Sequence, residues 1–405
     1  MLIRIILISG AIMLSLNLFG QMHGYYTIGE VDSDFHNIQE AFDQLQLVGV
    51  SDSVIFQIRS GQYIGSSIFD KPIANISASS PVIFKSISNI QSSVIIQSDQ
   101  PYTIRLKDQK NIIFRNLTFR NYRSVPDSYT IEIFSSSSIS FLNCIISQNC
   151  NAPATAESKS AFHIRFLPIY SYPKGILIDS CTISGNGYGI EMDNYTDPVT
   201  IQNSNFNHLG RGSVLARWLK KIYLINNIFA GEIETNWTDA IEFNNNDVFG
   251  KVDLNQGRFT GNIFHNRVSL RGSVAAQNTF FEYVSCDVNS IQDNFFYKNL
   301  SVNRINQLSF GFNTCLGTVS ISYSIGSFLN ANKFYKGASL GFCDNSNATN
   351  CFFYEDLNIG ISPGCRVSNN NFGKNAKLLF NSSHGIIQNN NFSQEIYVES
   401  ASLLI

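Results

Sequence analysis

The segment SNNNF at residues 368–372 is repeated as QNNNF at residues 388–392, and this motif decides the fold. An apolar residue closes each copy, and related copies recur along most of the chain. The last five spacings between closing residues are 19, 19, 19, 19 and 20 residues. A fixed period of about 20 residues, with short strand-like segments between turns, is typical of a solenoid. The closing residues are Phe119, Ile146, Ile183, Phe206, Phe229, Phe249, Phe264, Phe280, Phe296, Cys315, Phe334, Phe353, Phe372 and Phe392.

Stacking of coils explains why asparagine and phenylalanine recur. In a solenoid of parallel strands, equivalent positions of successive coils lie next to each other. Asn side chains at a bend then hydrogen-bond one another and the turn backbone, and Asn tolerates left-handed backbone conformations. Stacked Phe side chains fill the interior. We therefore interpret the Asn runs as structural and not as ligand-binding residues.

Composition excludes several classes of function. Charged residues make up 14% of the 405 residues, and the formal net charge is −2. This leaves no basic surface for nucleic acid and no polybasic membrane patch. A chain of this length would ordinarily form two or three domains, but a solenoid grows by adding coils. We therefore predict one β-helix over residues 50–405, a monomer, and no nucleic-acid partner.

The N-terminus resembles a signal peptide. Arg4 is followed by apolar residues over 5–12 and 14–19, and Gly20 precedes a predicted cleavage before Gln21. The alternative is a membrane anchor, which the short length of the segment disfavours. We predict a signal peptide over residues 1–20, no membrane insertion after its removal, and a secreted or cell-surface protein.

Cysteine spacing leaves one question open. The chain has eight Cys residues, and in an exported protein these can form disulfides. Cys144 and Cys181 each lie two residues before their closing residue, so a disulfide and a stacked pair of reduced thiols are equally consistent with the sequence. No Cys-x-x-Cys pair occurs, so zinc is not expected. We predict no metal and no cofactor.

The region over residues 21–49 is predicted to form a strand and a capping helix. Asp34 or Asn37 can cap a helix whose apolar face carries Phe35, Ile38, Ala41, Phe42 and Leu45, and such a helix closes the open end of a solenoid. A strand over 54–58 and the turn Gly61-Gln62-Tyr63 follow. This order, with later segments such as IQNSNF, SGNGYGIEM and IIQNNNF, resembles the pectate-lyase-like superfamily. The resemblance implies an all-β, right-handed parallel β-helix solenoid, a fold that hosts lyases, hydrolases, esterases, epimerases and non-enzymatic adhesins.

A second strand in each coil is predicted to present its polar residues on the outer face. Charged residues concentrate in the coils between about residues 130 and 290, and serine replaces them later. Four consecutive coils would place His163, Glu191, Leu215 and Glu242 on one line. The candidate catalytic residues are His163, Arg165, Glu191 and Glu242; the candidate substrate-binding residues are Asp193, Arg217, Asp253, Tyr188, Tyr195 and Trp237.

Two classes of function remain open from the sequence. The first is engagement of an extracellular polysaccharide, as a binder, a lyase or a glycoside hydrolase. Hydrolysis needs two carboxyl groups, and β-elimination needs a base and a cation beside the substrate carboxylate, a role that Arg217 would fill. The second is a non-catalytic surface or adhesion solenoid whose outer charges only protect the sheet. The clustered charges favour the first class, and the lack of a recognisable catalytic motif favours the second.

Overall fold

The computed structural model describes residues 20–123, 128–148, 159–165, 175–194, 198–381, 384–393, 397–399 and 403–404. The chain is 57% strand and 4% helix, and its strands pair in parallel with those of neighbouring coils. It is an all-β, right-handed parallel β-helix, as the repeat predicted. The chain divides into two compact units, unit 1 up to Asn186 and unit 2 from Gly187. A complete coil carries three strands, which we call row 1, row 2 and row 3 in chain order.

Unit 1 contains the N-terminal coils. Row 1 comprises Ser67–Phe69, Tyr102–Lys107, Ser128–Phe134 and Lys159–Arg165. Row 2 comprises Met22–Ile28, Val50–Ile58, Val82–Ser86, Lys110–Arg115, Ser137–Leu142 and Ile176–Asp179. Row 3 comprises Gly61–Ile64, Val94–Ser98, Thr118–Asn121, Ile145–Gln148 and Thr182–Gly185, and a 3-10 turn covers Gln91–Ser93.

The one α-helix among the described residues, Ile38–Val48, lies against the first coil of unit 1. Its N-cap is Asn37, whose side chain accepts a hydrogen bond from the Glu40 backbone N–H at 3.0 Å. The other predicted cap, Asp34, instead accepts from the Thr27 backbone N–H. The helix buries its apolar face, and this face is formed by Ile38, Ala41, Phe42 and Leu45. Such burial of an amphipathic face fits the predicted capping role.

Unit 2 continues the same pattern. Row 1 comprises Tyr188–Asp193, Gly212–Arg217, Glu232–Asn236, Leu300–Asn303, Val319–Ser322, Ala338–Gly341, Leu357–Gly360, Leu378–Asn381 and Tyr397–Glu399. Row 2 comprises Val199–Gln202, Ile222–Ile225, Ile241–Asn244, Ser309–Gly311, Phe328–Asn330, Asn347–Thr349, Arg366–Ser368, Gly385–Gln388 and Leu403–Leu404. In three coils rows 1 and 2 merge into the long strands Val252–Thr260, Val268–Ala276 and Val284–Gln292. Row 3 comprises Asn205–Leu209, Ile228–Phe229, Asp247–Val248, Ile263–Phe264, Thr279–Phe280, Phe295–Phe296, Thr314–Cys315, Lys333–Phe334, Phe352–Phe353, Asn371–Phe372 and Asn391–Phe392.

Buried asparagines form a ladder at the turn between rows 2 and 3 of unit 2. The Asn294 side-chain oxygen accepts from the backbone N–H of Asn278 at 2.9 Å, and the Asn294 amide donates to the Ala275 carbonyl at 2.8 Å. These bonds give the buried side-chain oxygen and amide of Asn294 partners, which is the condition for burying them. The ladder consists of Asn227, Asn246, Asn262, Asn278, Asn294, Asn313 and Asn332, with Cys351 in the next coil and then Asn370 and Asn390.

Phenylalanines stack inside unit 2 as expected. Phe353 is fully buried, and its ring centroid lies 5.0 Å from those of both Phe334 and Phe372. The prediction that Phe249 lies in the interior is wrong. Val248 pairs with Phe229 and Phe264 in row 3 and is buried, whereas Phe249 is 48% exposed. Strand alternation places neighbouring residues on opposite faces, so the larger apolar side chain points outwards here.

The described cysteines are buried thiols. Cys144 and Cys181 of unit 1 are buried thiols whose Sγ atoms donate to the Leu142 and Asp179 carbonyls, so among the described residues the reduced pair is the arrangement present. Cys351 replaces an asparagine in the ladder of unit 2, and its backbone N–H donates to Asn370 Oδ1 at 2.8 Å. Burial raises the pKa of the Cys351 thiol to about 11, which keeps it neutral and unreactive near neutral pH.

Candidate functional site

A row of carboxylates lies on the outer face of row 1 in unit 2. The parallel register pairs Glu191 with Leu215, Leu215 with Glu234, and Glu234 with Asp253. Alternation turns these residues outwards while their neighbours Ile190, Val214 and Ile233 fill the core. After Asp253 the row continues with serine, beginning at Ser269. In unit 2 this row therefore carries carboxylates as far as Asp253 and serines from Ser269.

Glu242 does not belong to this row, and its predicted alignment is wrong. It lies in row 2, where it pairs with Tyr223 on one side and Arg258 on the other. The residue opposite Leu215 is Glu234, which the sequence alignment missed. The coil contains two Ile-Glu pairs, and only the one at Ile241 is followed by a second apolar residue, Phe243, as the predicted pattern requires. In the correct strand Thr235 takes that position and is fully buried.

Arg217 is held by two carboxylates. Its Nη2 donates to Glu191 Oε1 at 2.6 Å, and its Nε donates to Asp193 Oδ1 at 2.7 Å. A third bond joins Nη2 to Asp193 Oδ2 at 3.1 Å. These bonds to Asp193 raise the pKa of Arg217 against the opposing effect of its partial burial. The Arg217 guanidinium thus bonds to carboxylates of the protein itself. The sequence-based expectation was that it receives a substrate carboxylate.

The two tryptophans of the chain stack on each other beside this charged cluster. The ring centroids of Trp218 and Trp237 lie 5.2 Å apart with an interplanar angle of 5°. Trp218 is 55% exposed and Trp237 is 71% exposed. Both have positive φ, as does Asn194 in the equivalent turn one coil earlier. Tyr323 and Phe342 share this conformation further along, so it is a property of the turn. The exposed pair of large rings next to Arg217 distinguishes this position.

Tyr188 lies at the other end of the row 1 strand Tyr188–Asp193. Its ring packs over Gly212, where an added Cβ would come within 2.8 Å of the ring. Burial, and then the negative charge of Glu234, raise the pKa of Tyr188, so its hydroxyl stays protonated and remains a hydrogen-bond donor near neutral pH. Tyr195, the other predicted tyrosine of the site, lies outside the described residues.

Two depressions mark the outer surface of unit 2 near these residues. The first has a volume of about 410 Å³ and is lined by Glu232, Glu234, Lys251, Asp253 and Arg267, among others. The second, of about 530 Å³, lies over Gly257 and Gly272, with Asp239, Glu242 and Arg258 at its walls. Asp253 and Glu242, both predicted site residues, therefore line different depressions.

Unit 1 carries a separate charge cluster around a buried carboxylate. Glu132 is fully buried, and its two oxygens lie 2.8 Å from Arg105 Nε and 3.2 Å from Arg165 Nη2. His163 Nδ1 is 3.8 Å from Glu132 Oε1, and the His163 ring stacks on Tyr129 at 4.3 Å. Among the described residues the Glu132 oxygens have no aligned hydrogen bond, so the contacts with Arg105 and Arg165 are ion pairs defined by distance. A buried carboxylate needs such partners, which gives Arg165 a structural role.

The structure brings together part of the predicted site. Glu191, Asp193 and Arg217 contact one another in unit 2, and His163 and Arg165 both approach Glu132 in unit 1. The catalytic roles of His163, Arg165, Glu191 and Glu242 stay predictions, although Glu242 lies outside the row that carries Glu191. Within the described residues, no group of three or more His, Cys, Asp or Glu side chains is arranged to hold a metal ion. The described residues also contain no helix with the length and apolar character needed to cross a membrane.

Comparison with known proteins finds similar solved structures. No protein-family model matches the chain, and no curated protein matches its sequence. Pectin methylesterase from carrot is 11% identical, with a TM-score of 0.34, covering 68% of this chain and 84% of its own. GH136 lacto-N-biosidase from Eubacterium ramulus is 8% identical, with a TM-score of 0.35, covering 92% of this chain and 68% of its own. PfbA, a surface adhesin of Streptococcus pneumoniae, is 13% identical, with a TM-score of 0.25, covering 91% of this chain and 90% of its own. The parallel sheets of the described residues have the topology of a β-helix.

Arg217→Ala is expected to destabilise the protein by about 2 kcal/mol. The change leaves Glu191, which is only 8% exposed, without its cationic partner, and breaking fully buried pairs costs about 3–5 kcal/mol. The partial exposure of Arg217 reduces that cost. Chemical denaturation measures it, with the exposed Arg258→Ala as control, for which we expect a change below about 0.5 kcal/mol. If Arg217→Ala and Arg258→Ala lowered the free energy of unfolding by equally small amounts, the Arg217–Glu191 ion pair would contribute little to stability.

Proposed function

We propose that this is a secreted β-helix protein that binds an extracellular polysaccharide through the outer face of unit 2. The binding face consists of the Trp218–Trp237 pair and the row 1 residues Glu234 and Asp253, with the buried Glu191 holding Arg217 beside them. The observation that carries the proposal is the exposed, parallel tryptophan pair next to a row of fixed polar side chains. Large aromatic side chains with hydrogen-bonding groups beside them suit sugar rings, which have apolar C–H faces and polar hydroxyl edges.

The charges of this face favour a neutral polysaccharide over an acidic one. Five carboxylates meet four cations here, and Arg217 already serves two of the carboxylates. The carboxylates are Glu191, Asp193, Glu232, Glu234 and Asp253; the cations are Arg211, Arg217, Lys251 and Arg267. A polyuronate would approach this net negative surface against electrostatic repulsion, whereas carboxylates accept hydrogen bonds from neutral sugar hydroxyls. The substrate class is therefore neutral glycans.

Affinity gel electrophoresis tests the proposal. The mature protein is run in gels containing a neutral polymer, soluble β-glucan or galactomannan, and in gels containing pectate or alginate at the same ionic strength. We expect retardation by a neutral polymer and none by the polyuronates. Trp237→Ala is expected to weaken binding about tenfold, the equivalent of about 1.4 kcal/mol for one aromatic contact.

The matched control is Tyr323→Ala. Tyr323 is 54% exposed, has positive φ at the same kind of turn, and stacks on Phe342 at 5.0 Å, but serine residues occupy the strand before it. Its removal is expected to leave binding unchanged. Equal losses of affinity in Trp237→Ala and Tyr323→Ala, or undiminished binding in Trp237→Ala, would show that the binding site lies elsewhere. Failure of all neutral and acidic polymers to bind would favour the alternative of a surface solenoid with a protein partner.

A second candidate function, glycoside hydrolysis, is favoured by one observation. Glu234 and Asp253 are paired in adjacent row 1 strands and line the same depression. Neighbouring strands lie about 4.8 Å apart, close to the carboxyl separation of about 5–5.5 Å used by retaining glycosidases. Reducing-end release from a neutral polymer, abolished in both Glu234→Gln and Asp253→Asn, would establish this activity. Binding without release identifies the protein as a non-catalytic binder.

A further inference from the structure

A pair of tyrosines stacks on the exterior of unit 2, far along the chain from the carboxylate row. Tyr335 and Tyr354 follow the interior residues Phe334 and Phe353 in successive coils, so the coil repeat fixes their register. Their ring centroids lie 4.3 Å apart with an interplanar angle of 10°. Tyr335 is 37% exposed and Tyr354 is 40% exposed. Solvent therefore reaches both rings although they contact each other face to face.

The rings are nearly parallel at 4.3 Å, so carbon atoms of one ring lie over those of the other. The neighbouring Tyr335 phenol raises the pKa of Tyr354, which places the two hydroxyl ends on the same side of the stack. Because the rings are already in van der Waals contact, bond formation between these carbons needs rotation of the side chains but no movement of the coils.

We propose that Tyr335 and Tyr354 are an oxidative cross-linking site that forms an intramolecular dityrosine. The co-reactant is hydrogen peroxide acting through a haem peroxidase. Each phenol loses one hydrogen atom to give a phenoxyl radical, and the two radicals form one carbon–carbon bond between ortho positions. The hydrogens on those carbons then move to the phenolic oxygens. The two hydrogen atoms removed reduce one peroxide to two water molecules, so the atoms and electrons balance.

Among the described residues, the other exposed tyrosines of unit 2 lack a tyrosine partner at this distance. Tyr297 stacks on Phe281 at 4.6 Å, and Tyr323 stacks on Phe342 at 5.0 Å. Phenylalanine has no phenol to oxidise, so neither pair forms the product. In unit 1, Tyr102 and Tyr129 stack at 6.3 Å, and Tyr129 is only 6% exposed. Among the described residues, Tyr335 and Tyr354 thus combine close stacking, a phenol on each ring, and access to an oxidant.

The cross-link would join successive coils covalently. In a solenoid each coil is stabilised chiefly by its nearest neighbours. A bond between adjacent coils restricts their separation in the unfolded chain, as a disulfide does. We therefore expect the cross-linked protein to unfold at a higher temperature than the untreated protein. This role does not depend on polysaccharide binding.

The test treats the full mature protein with hydrogen peroxide and a haem peroxidase at low protein concentration. The monomer fraction is isolated and assayed for dityrosine fluorescence and for loss of two hydrogen atoms in its intact mass. Peptide mapping is expected to show one linked pair, joining the peptides that contain Tyr335 and Tyr354. Tyr335→Phe and Tyr354→Phe keep both rings and are each expected to remove nearly all of the monomer's dityrosine.

Tyr297→Phe and Tyr323→Phe serve as matched controls and are expected to retain the cross-link. Circular dichroism of each variant before oxidation confirms that the fold is kept. Monomer dityrosine that survives Tyr354→Phe would overturn the proposal. So would a wild-type monomer fraction that remains free of dityrosine while intermolecular dimers form.

Discussion

Phe353→Ala is expected to lower the free energy of unfolding by about 3–5 kcal/mol. Phe353 is fully buried between Phe334 and Phe372, so its removal leaves a cavity that the two flanking coils cannot fill without moving. Equilibrium denaturation followed by circular dichroism measures the change.

The neighbouring residue provides the control for this substitution. Phe352 lies in the same two-residue strand but faces outwards, where it contacts Tyr354 at 4.3 Å. Phe352→Ala is expected to cost about 1 kcal/mol or less, since its site stays hydrated. Similar costs for the two substitutions would contradict the assignment of inner and outer faces.

Asn370→Ala is expected to cost about 3 kcal/mol, the second large effect on stability. Its side-chain oxygen accepts from the buried Cys351 backbone N–H at 2.8 Å, and its amide donates to the Ala348 carbonyl at 2.9 Å. Alanine would leave both backbone groups without partners, and each unsatisfied buried group costs about 1–3 kcal/mol. Thermal and chemical denaturation together measure this loss.

The same Asn-Asn-Asn segment contains two controls of identical residue type. Asn369 has φ of 58°, so its replacement by alanine is expected to cost roughly 1 kcal/mol of backbone strain. Asn371 is exposed in a row 3 strand, and Asn371→Ala is expected to be near neutral. The order of costs should be Asn370, Asn369, Asn371. Any other order would show that the ladder does not hold the coils together as described.

The fold was predictable because periodicity survives variation in individual residues. Equivalent positions of stacked coils share one environment, so the SNNNF and QNNNF segments indicate the turn, the ladder and the core together. The helix Ile38–Val48 was predictable from its apolar face and its Asn37 cap. The coil repeat and the helix depend on the local pattern of apolar and polar residues, which can be read directly from a sequence.

The site was only partly predictable because it depends on register across coils of unequal length. Glu234 lies 19 residues after Leu215 and 19 before Asp253, so the period itself indicated the residue that the apolar pattern concealed. Val248 likewise lies 19 residues after Phe229. The bonds from Arg217 to Glu191 and Asp193 span 26 and 24 residues, and side-chain direction decides them. The partnership of Glu132 with Arg105 required the same three-dimensional information.

Tryptophan fluorescence tests the proposed polysaccharide-binding face most directly, because Trp218 and Trp237 are the two tryptophans of the whole chain. The mature protein is titrated with the neutral polymer that retards it in affinity gels, while emission and acrylamide quenching are recorded. Contact with sugar removes water from the exposed rings, so the account predicts a saturable blue shift and reduced quenching over the same concentration range as binding. Polymer binding that leaves both the emission and the quenching of these tryptophans unchanged would contradict it.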